Sequence, residues 1–503
     1  MSQTGSTIKI ASSPALAFIN VTHPSALKQH STEIRKHVMR DIGHARRRTK
    51  VKDVRRMRKT TATITNAEKS LTNAMRIRSV SDDRTERQVL CHMAQLARRY
   101  GPLDEKNLHA FLYPMEMGEP QLQTIRNLFS QTSRPRRRPL LSIWFALMAT
   151  DVGAFHLLLA SSYLASGCSI PGNNTPSVPY QKNNTTALLY YNKSIVSVKK
   201  RILQSNASSD DGLIIALLSF LCYNVKIQNF EQWNIHIIGL ERLIALRGGI
   251  DTLDNAYTRL LIIWQDLCGA AAIDVSPRFP LSPDLNFYAA YKGLGTRSSI
   301  FRSNLEGLRI TSPSFEETIN VLEFMAGVSI FIKDGAADET FWDNDIQTTQ
   351  LIINLVHKAL SLPRMEPESV YLCALLTPDL IIREVLRGSM IIFLALLKVR
   401  SGFSMAPLEL VKHISSLRFF LSLPTINWSF IPELKLWVLF ICSFGPSSGD
   451  REWSVSHIKG EMLKHRLSNS ADVLKVVNEI IWIENLVPKE YLRCICAAID
   501  ADI

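Results

Sequence analysis

The sequence predicts an all-α protein: an irregular multi-helix bundle of αα-hairpins with a basic, partly disordered N-terminal arm. Three observations lead there. From residue 140 onward, apolar residues recur at spacings of three and four, the period of a helix face. Alternating β patterns are scarce. The charge is also uneven, because residues 1–140 hold 27 Lys+Arg against 11 Asp+Glu, whereas the rest of the chain holds 31 against 34. This shift divides the chain into a basic arm and linker, residues 1–139, and an all-helical body, residues 140–503. At 503 residues and 46% hydrophobic, the chain has ample material for a core.

The arm carries the densest charge. "RKHVMRDIGHARRRTKVKDVRRMRK", residues 35–59, holds twelve Lys or Arg against two Asp. Helix formers with few breakers over 31–59 predict a basic helix, at least when bound. Residues 60–84 are polar and Thr-rich and read as linker. A short helical segment follows in "RTERQVLCHMAQLARRY", and "SRPRRRP", residues 133–139, is a basic loop.

The body opens with "PLLSIWFALMATDVGAFHLLLASSYLA", residues 139–165. Its length would span a bilayer, but Asp151, Gly153 and His156 fall in its middle, where ionisable groups are costly. Two buried helices meeting near Thr150-Asp151 are expected instead, and no membrane segment. "ALLYYNKSIVSVKKRILQ" places Leu188, Tyr191, Ile195, Val198 and Ile202 on one face. Ser209 and Asp210 are N-cap candidates for the next helix, which is apolar nearly all round and so belongs inside. "FEQWNIHIIGLERLIALRGG" stripes Phe230, Trp233, Ile237, Leu240 and Ile244, then stops at Gly248-Gly249, a C-cap signal. "IIREVLRGSMIIFLALLKV", "LELVKHISSLRFFLSLP", "ELKLWVLFICSF" and "LKVVNEIIWIENL" continue the pattern as helices.

Signals for chemistry are weak. Most of the eight cysteines sit in apolar runs and read as reduced core thiols of an intracellular protein. No apolar secretory leader opens the sequence, so its sequons at Asn183, Asn184, Asn192 and Asn206 are not expected to be glycosylated. Cys494 and Cys496 are one residue apart with no second pair, which does not make a zinc site. "GPSSG" fits G-x-S-x-G around Ser447, but a nucleophile elbow needs a strand before it and a distant Asp and His after it. Asp450, His457 and His465 follow too closely, so this reads as a helix–helix turn. His156 and His236 lie on apolar helices without evident partners and read as core histidines. Neither an enzyme nor a metal or other cofactor is expected.

The order "SIWFALMATDVGAFHLLLASSYLA", "DGLIIALLSFLCYNVKIQNFEQWNIHIIGLERLIALRGGI", "LLIIWQDLCGAAAIDVSPRFP" and, late, "LWVLFICSFGPSSGDREW" resembles the fungal-specific transcription factor domain. This is the helical regulatory body that often follows a zinc-cluster DNA-binding module. The resemblance covers roughly residues 140–490. Its most specific part is W-x-x-H-x-x-G-L, then R-G-G, then P-R-F-P. The stretch with Arg35, His37, Met39, Arg40 and Asp41 resembles a basic helix of relatives that lack the zinc cluster. No C-x-x-C-x(6)-C spacing occurs here, so the resemblance implies a regulatory body without the base-reading module. It implies a nuclear regulator, on family analogy of a specialised metabolic pathway.

With that resemblance, Arg46, Arg47, Arg48, Lys50, Lys52, Arg55, Arg56, Arg58 and Lys59 read foremost as a nuclear-targeting signal for an import receptor. They read next as contacts to the DNA backbone, which need only counterion release. A membrane-surface helix would want larger apolar residues on its opposite face, and a merely solvated tail remains the bland alternative. The body is expected to bind transcriptional co-regulators, an effector or a second copy as a homodimer. The alternative reading is a non-catalytic helical scaffold or adaptor.

Overall fold

The computed structural model describes residues 113–130, 139–166, 184–204, 207–286, 297–335, 341–343, 345–365, 378–401, 403, 407–423 and 426–501. Among these are sixteen α-helices and no strand, so the all-α class holds. In chain order the first eight are α1 (Glu119–Ser130), α2 (Pro139–Met148), α3 (Val152–Ser166), α4 (Thr185–Ile202), α5 (Asp211–Lys226), α6 (Phe230–Arg247), α7 (Ala256–Ile273) and α8 (Ser299–Thr311). Then come α9 (Glu316–Gly335), α10 (Asp345–Ser361), α11 (Pro378–Arg400), α12 (Pro407–Leu421), α13 (Pro432–Cys442), α14 (Ser448–His465), α15 (Ser470–Ile480) and α16 (Lys489–Asp500). The segments expected at 31–59, 60–84 and 84–100 lie outside the described residues.

Four nearly apolar helices form the spine. α5 is buried from Leu213 to Leu221 and packs against α2, α3, α4, α6 and α7. α7 passes the core on to α10 and α12, and α11 carries it to α13, which packs against α8, α14 and α15. Trp233 on α6 and Trp437 on α13 are fully buried.

Asn and Asp residues set where the helices start. Asn184, Asp210, Asn229, Asn255 and Asn469 each cap a helix by accepting a backbone N–H from its first turn. Gly248 ends α6 at φ +107°, with the Gly249 N–H reaching back to the Ile244 carbonyl, as the Gly-Gly signal predicts. The junction at Thr150-Asp151 is also as expected. Asp151 accepts from Ala154 N at 2.9 Å and starts α3.

Arg201 then joins three helix ends. Its Nη1 donates to Asp151 at 2.5 Å, while Nε and Nη2 donate to Asp210 at 2.8 and 2.5 Å. One guanidinium therefore holds the two carboxylates that cap α3 and α5. Gly212 leaves room for it, since a Cβ there would lie 2.5 Å from Asp151 Oδ2 and 2.7 Å from Arg201 Nη2.

Two sequence expectations need correcting. The buried side of α4 is Ala187, Tyr190, Ser194 and Val198. Of the expected stripe only Val198 is buried, and Leu188 and Ile202 face outward. α3 packs along the buried side, and at Gly153 a Cβ would lie 3.4 and 3.6 Å from the Ser197 and Ser194 hydroxyls. The second correction is at "IIWIENL", where α15 stops at Ile480 and Ile481 is extended. The Ile481 carbonyl accepts the Trp437 indole N–H at 2.7 Å, and Trp482 packs among Phe440 and Phe444. Tertiary packing overrides helical periodicity at this point.

Asp210 is both cap and ion-pair partner, so Asp210→Ala is expected to lower stability by about 2 kcal/mol in urea unfolding. Asp210→Asn keeps the capping oxygen and should cost less. Equal losses for the two would rule out the cap as a contributor.

Candidate functional site

The predicted targeting residues Arg46, Arg47, Arg48, Lys50, Lys52, Arg55, Arg56, Arg58 and Lys59 lie outside the described residues. What the structure places is the body, and its buried polar groups gather along α7, against α6 and α10 on one side and α11 and α12 on the other.

The family-like motif residues converge on one joint. Trp233 on α6 lies flat against Gly269 on α7, where a Cβ would fall 2.0 Å from the indole. Asp266, three residues earlier on α7, is 1% exposed and its Oδ2 accepts the backbone N–H of Arg278 at 2.7 Å and of Phe279 at 3.0 Å. The Arg278 guanidinium then reaches back to α6, to Glu241 at 3.1 Å and Asn234 at 3.0 Å. The Phe279 carbonyl meets His357 Nε2 at 3.0 Å. The P-R-F-P loop is thus stitched to α6, α7 and α10. Burial pushes the Asp266 carboxyl up to about 6, against the pull of those two N–H donors and of Arg278. This is a packing joint built from polar groups that ties the loop to α6, α7 and α10.

His236, also in the motif, stacks on Phe220 with centroids 4.5 Å apart, and its Nε2 lies 3.5 Å from the Tyr191 hydroxyl. Burial pulls it down to about 4, so the ring is neutral at pH 7. His156 sits beside Tyr190 and is likewise lowered by burial. Among the described residues no group of three or more His, Cys, Asp or Glu is placed to hold a metal ion.

Sequence reasoning missed the most buried charge. Arg387 on α11 is 0% exposed and forks onto Asp274, Nη1 to Oδ1 at 2.7 Å and Nη2 to Oδ2 at 2.9 Å. It also bonds Glu384, Nε at 3.0 Å and Nη2 at 2.5 Å. Asp274 terminates α7 in a left-handed conformation, φ +56°. Around that C-terminus His413 Nε2 faces the Ala271 carbonyl, Lys412 Nζ donates to the Ile273 carbonyl, and Arg364 donates to the Asp274 carbonyl. Cationic and imidazole groups thus collect at the negative end of the α7 dipole. Nearby, Lys398 and Glu409 form a second, almost dry pair at 2.5 and 2.7 Å. The available signal was a charge inside an apolar run: "REVLRGSMIIFLALLK" cannot bury Arg387 and Lys398 without partners.

Ser447 is the N-cap of α14. Its hydroxyl accepts from Asp450 N at 3.1 Å and donates to Asp450 Oδ2 at 2.7 Å, and Asp450 is paired with Arg418. His457 bonds the Trp453 carbonyl and His465 faces Glu461. "GPSSG" is the helix–helix turn its spacing suggested.

With this geometry in place, comparison with known proteins becomes informative. Residues 107–319 match the family model of the fungal specific transcription factor domain. The match begins before and ends well before the stretch over which the sequence motifs resemble that family, and it includes the Trp233–Gly269 joint and the P-R-F-P loop. No curated protein and no solved structure matches the chain. The match points to a transcriptional regulator.

Two outcomes test the site. Gly269→Ala is expected to destabilise the fold by about 1–3 kcal/mol, because the indole has to move; an unchanged unfolding midpoint would contradict the joint. For Asp274, burial raises the carboxyl, but the Arg387 hydrogen bonds and charge, with His413 and Arg364, outweigh it and leave the folded value at about 2, below the ordinary 3.8. A lowered carboxylate stabilises above its unfolded pKa and loses that contribution as pH falls through its folded one. Roughly 2 kcal/mol should therefore disappear between about pH 4 and pH 2. Asp274→Asn, which suits the left-handed backbone, should be less stable at pH 7 and show a shallower acid loss. Parallel acid limbs for the two proteins would refute the assignment.

Proposed function

We propose that the chain is a nuclear transcriptional regulator that acts by binding partner proteins through its helical body. The observation that carries this is the family match over residues 107–319. The polar clusters described above support a binding role rather than a catalytic one, because each group is spent on holding helices together. In this reading residues 1–139 are a basic arm and residues 140–503 the regulatory body. Arg46 to Lys59 supply an import signal and non-specific contact with the DNA backbone. Sequence-specific reading falls to a partner, because the spacing of a zinc cluster is absent from the sequence. The targets belong, by family analogy, to a specialised metabolic pathway.

Genome-wide chromatin occupancy of the tagged full chain, beside a form lacking residues 35–59, tests this. Discrete peaks lost on deletion are expected. Peaks surviving deletion would move recruitment to the body. No peaks in either form, with no effect of the body tethered at a reporter, would overturn the regulator reading and leave a scaffold.

A further inference from the structure

Among the described residues, the outward side of α4 carries exposed aliphatic residues. Leu188-Leu189, Ile195-Val196 and Ile202-Leu203 recur every seven residues. Leu189 is 53% exposed, Val196 68% and Leu203 87%, with Leu188 and Ile202 also exposed. A seven-residue repeat lays Leu188, Ile195 and Ile202 in one stripe and Leu189, Val196 and Leu203 in a second, with Asn192 and Lys199 between them, and the two stripes together make the seam. α3 packs against the opposite side of α4, along Ala187, Tyr190, Ser194 and Val198, and the seam faces away from it. α6 carries exposed aliphatic residues of its own. Tyr191, one turn from both Leu188 and Ile195, meets His236 of α6. Ile235 and Leu246 of α6 are 54% and 78% exposed. An aliphatic run of this extent on a protein surface marks an interaction site.

Charge selects the occupant. α4 contains Lys193, Lys199, Lys200 and Arg201 and no Asp or Glu. Arg201 is held by Asp151 and Asp210. The three lysines are exposed, with Lys193 and Lys200 along one border of the seam and Lys199 within it. A second copy docked α4 to α4 would set lysine against lysine at the flanking positions that decide helix pairing. The chain's own arm, with twelve cations in residues 35–59, is repelled in the same way. A bilayer favours a broad apolar face with bulky aromatics, whereas this seam is two residues wide and aliphatic.

We propose that the α4 seam docks an amphipathic helix of a partner protein, aliphatic along one stripe and acidic beside it. This rests on the regulator reading and gives its partner a chemistry. Leu or Ile pairs of the partner fill the seam, and Glu or Asp beside them meet Lys193, Lys199 and Lys200.

The test uses the purified full chain and a labelled peptide of about three heptads, with Leu at the seam positions and Glu beside them. Fluorescence anisotropy should show saturable binding that weakens as salt is raised. Lys199→Glu with Lys200→Glu should weaken it about tenfold, and a peptide with Lys in place of Glu should recover binding to that variant. Val196→Asp with Leu203→Asp should abolish it. All four positions are exposed, so melting curves should match wild type. No binding by the wild type, binding indifferent to these changes, or equal binding of the Lys peptide overturns the proposal. So does a wild-type dimer in sedimentation that the Asp variant dissolves, or loss from the variants of binding to phosphatidylserine vesicles. A chain that occupies chromatin yet ignores the peptide loses only this proposal, and one that binds the peptide yet finds no chromatin loses only the regulator reading.

Discussion

The body is organised around a charge that has to be buried. Arg387 is fully buried part-way along α11, where an unpaired guanidinium would cost several kcal/mol. It is tolerated because Asp274 and Glu384 meet it with four hydrogen bonds in fork geometry. This satisfaction has a price in geometry. α7 must end at Asp274 in a left-handed turn, α10 must bring Arg364 to the same place, and α12 must present Lys412 and His413. Apolar surfaces alone would let these helices slide, and the ion cluster sets their register.

The residues that suggested a family are, in the structure, joints between helices. Trp233 needs Gly269, Arg278 needs Asn234 and Glu241, and Asp266 needs the two N–H groups of the loop that follows. Each pairing ties together separate segments of the chain, so the spacing of the motifs is set by how these helices and the loop pack.

Much of the fold was legible because its signals are local. Caps at Asp210 and Gly248, the stripe of α6 and the all-apolar α5 depend only on neighbouring residues. What escaped depends on contacts across the chain. The face of α4 was misread, except at Val198, because a period of three and four fits two faces of this helix and only the packing of α3 decides between them. The end of α15 was misread because Trp437 claims the Ile481 carbonyl. Of the candidate site, the turn at Ser447 was legible from spacing, whereas the Arg387 cluster was not, since nothing in "REVLRG" names Asp274 as its partner.

Asp274 and Arg387 are 113 residues apart in the chain. At a synthesis rate of about 5–20 residues per second, the carboxylate leaves the ribosome roughly 6–23 s before the guanidinium that will hold it. α10 is made part-way through that interval and α12 only after Arg387, so α7 waits for each of its later neighbours in turn. The family-matched span is complete as polypeptide well before it is complete as structure. A nascent chain in this state is a natural client for chaperones, and its yield in a cell will depend on how they hold it until α11 arrives.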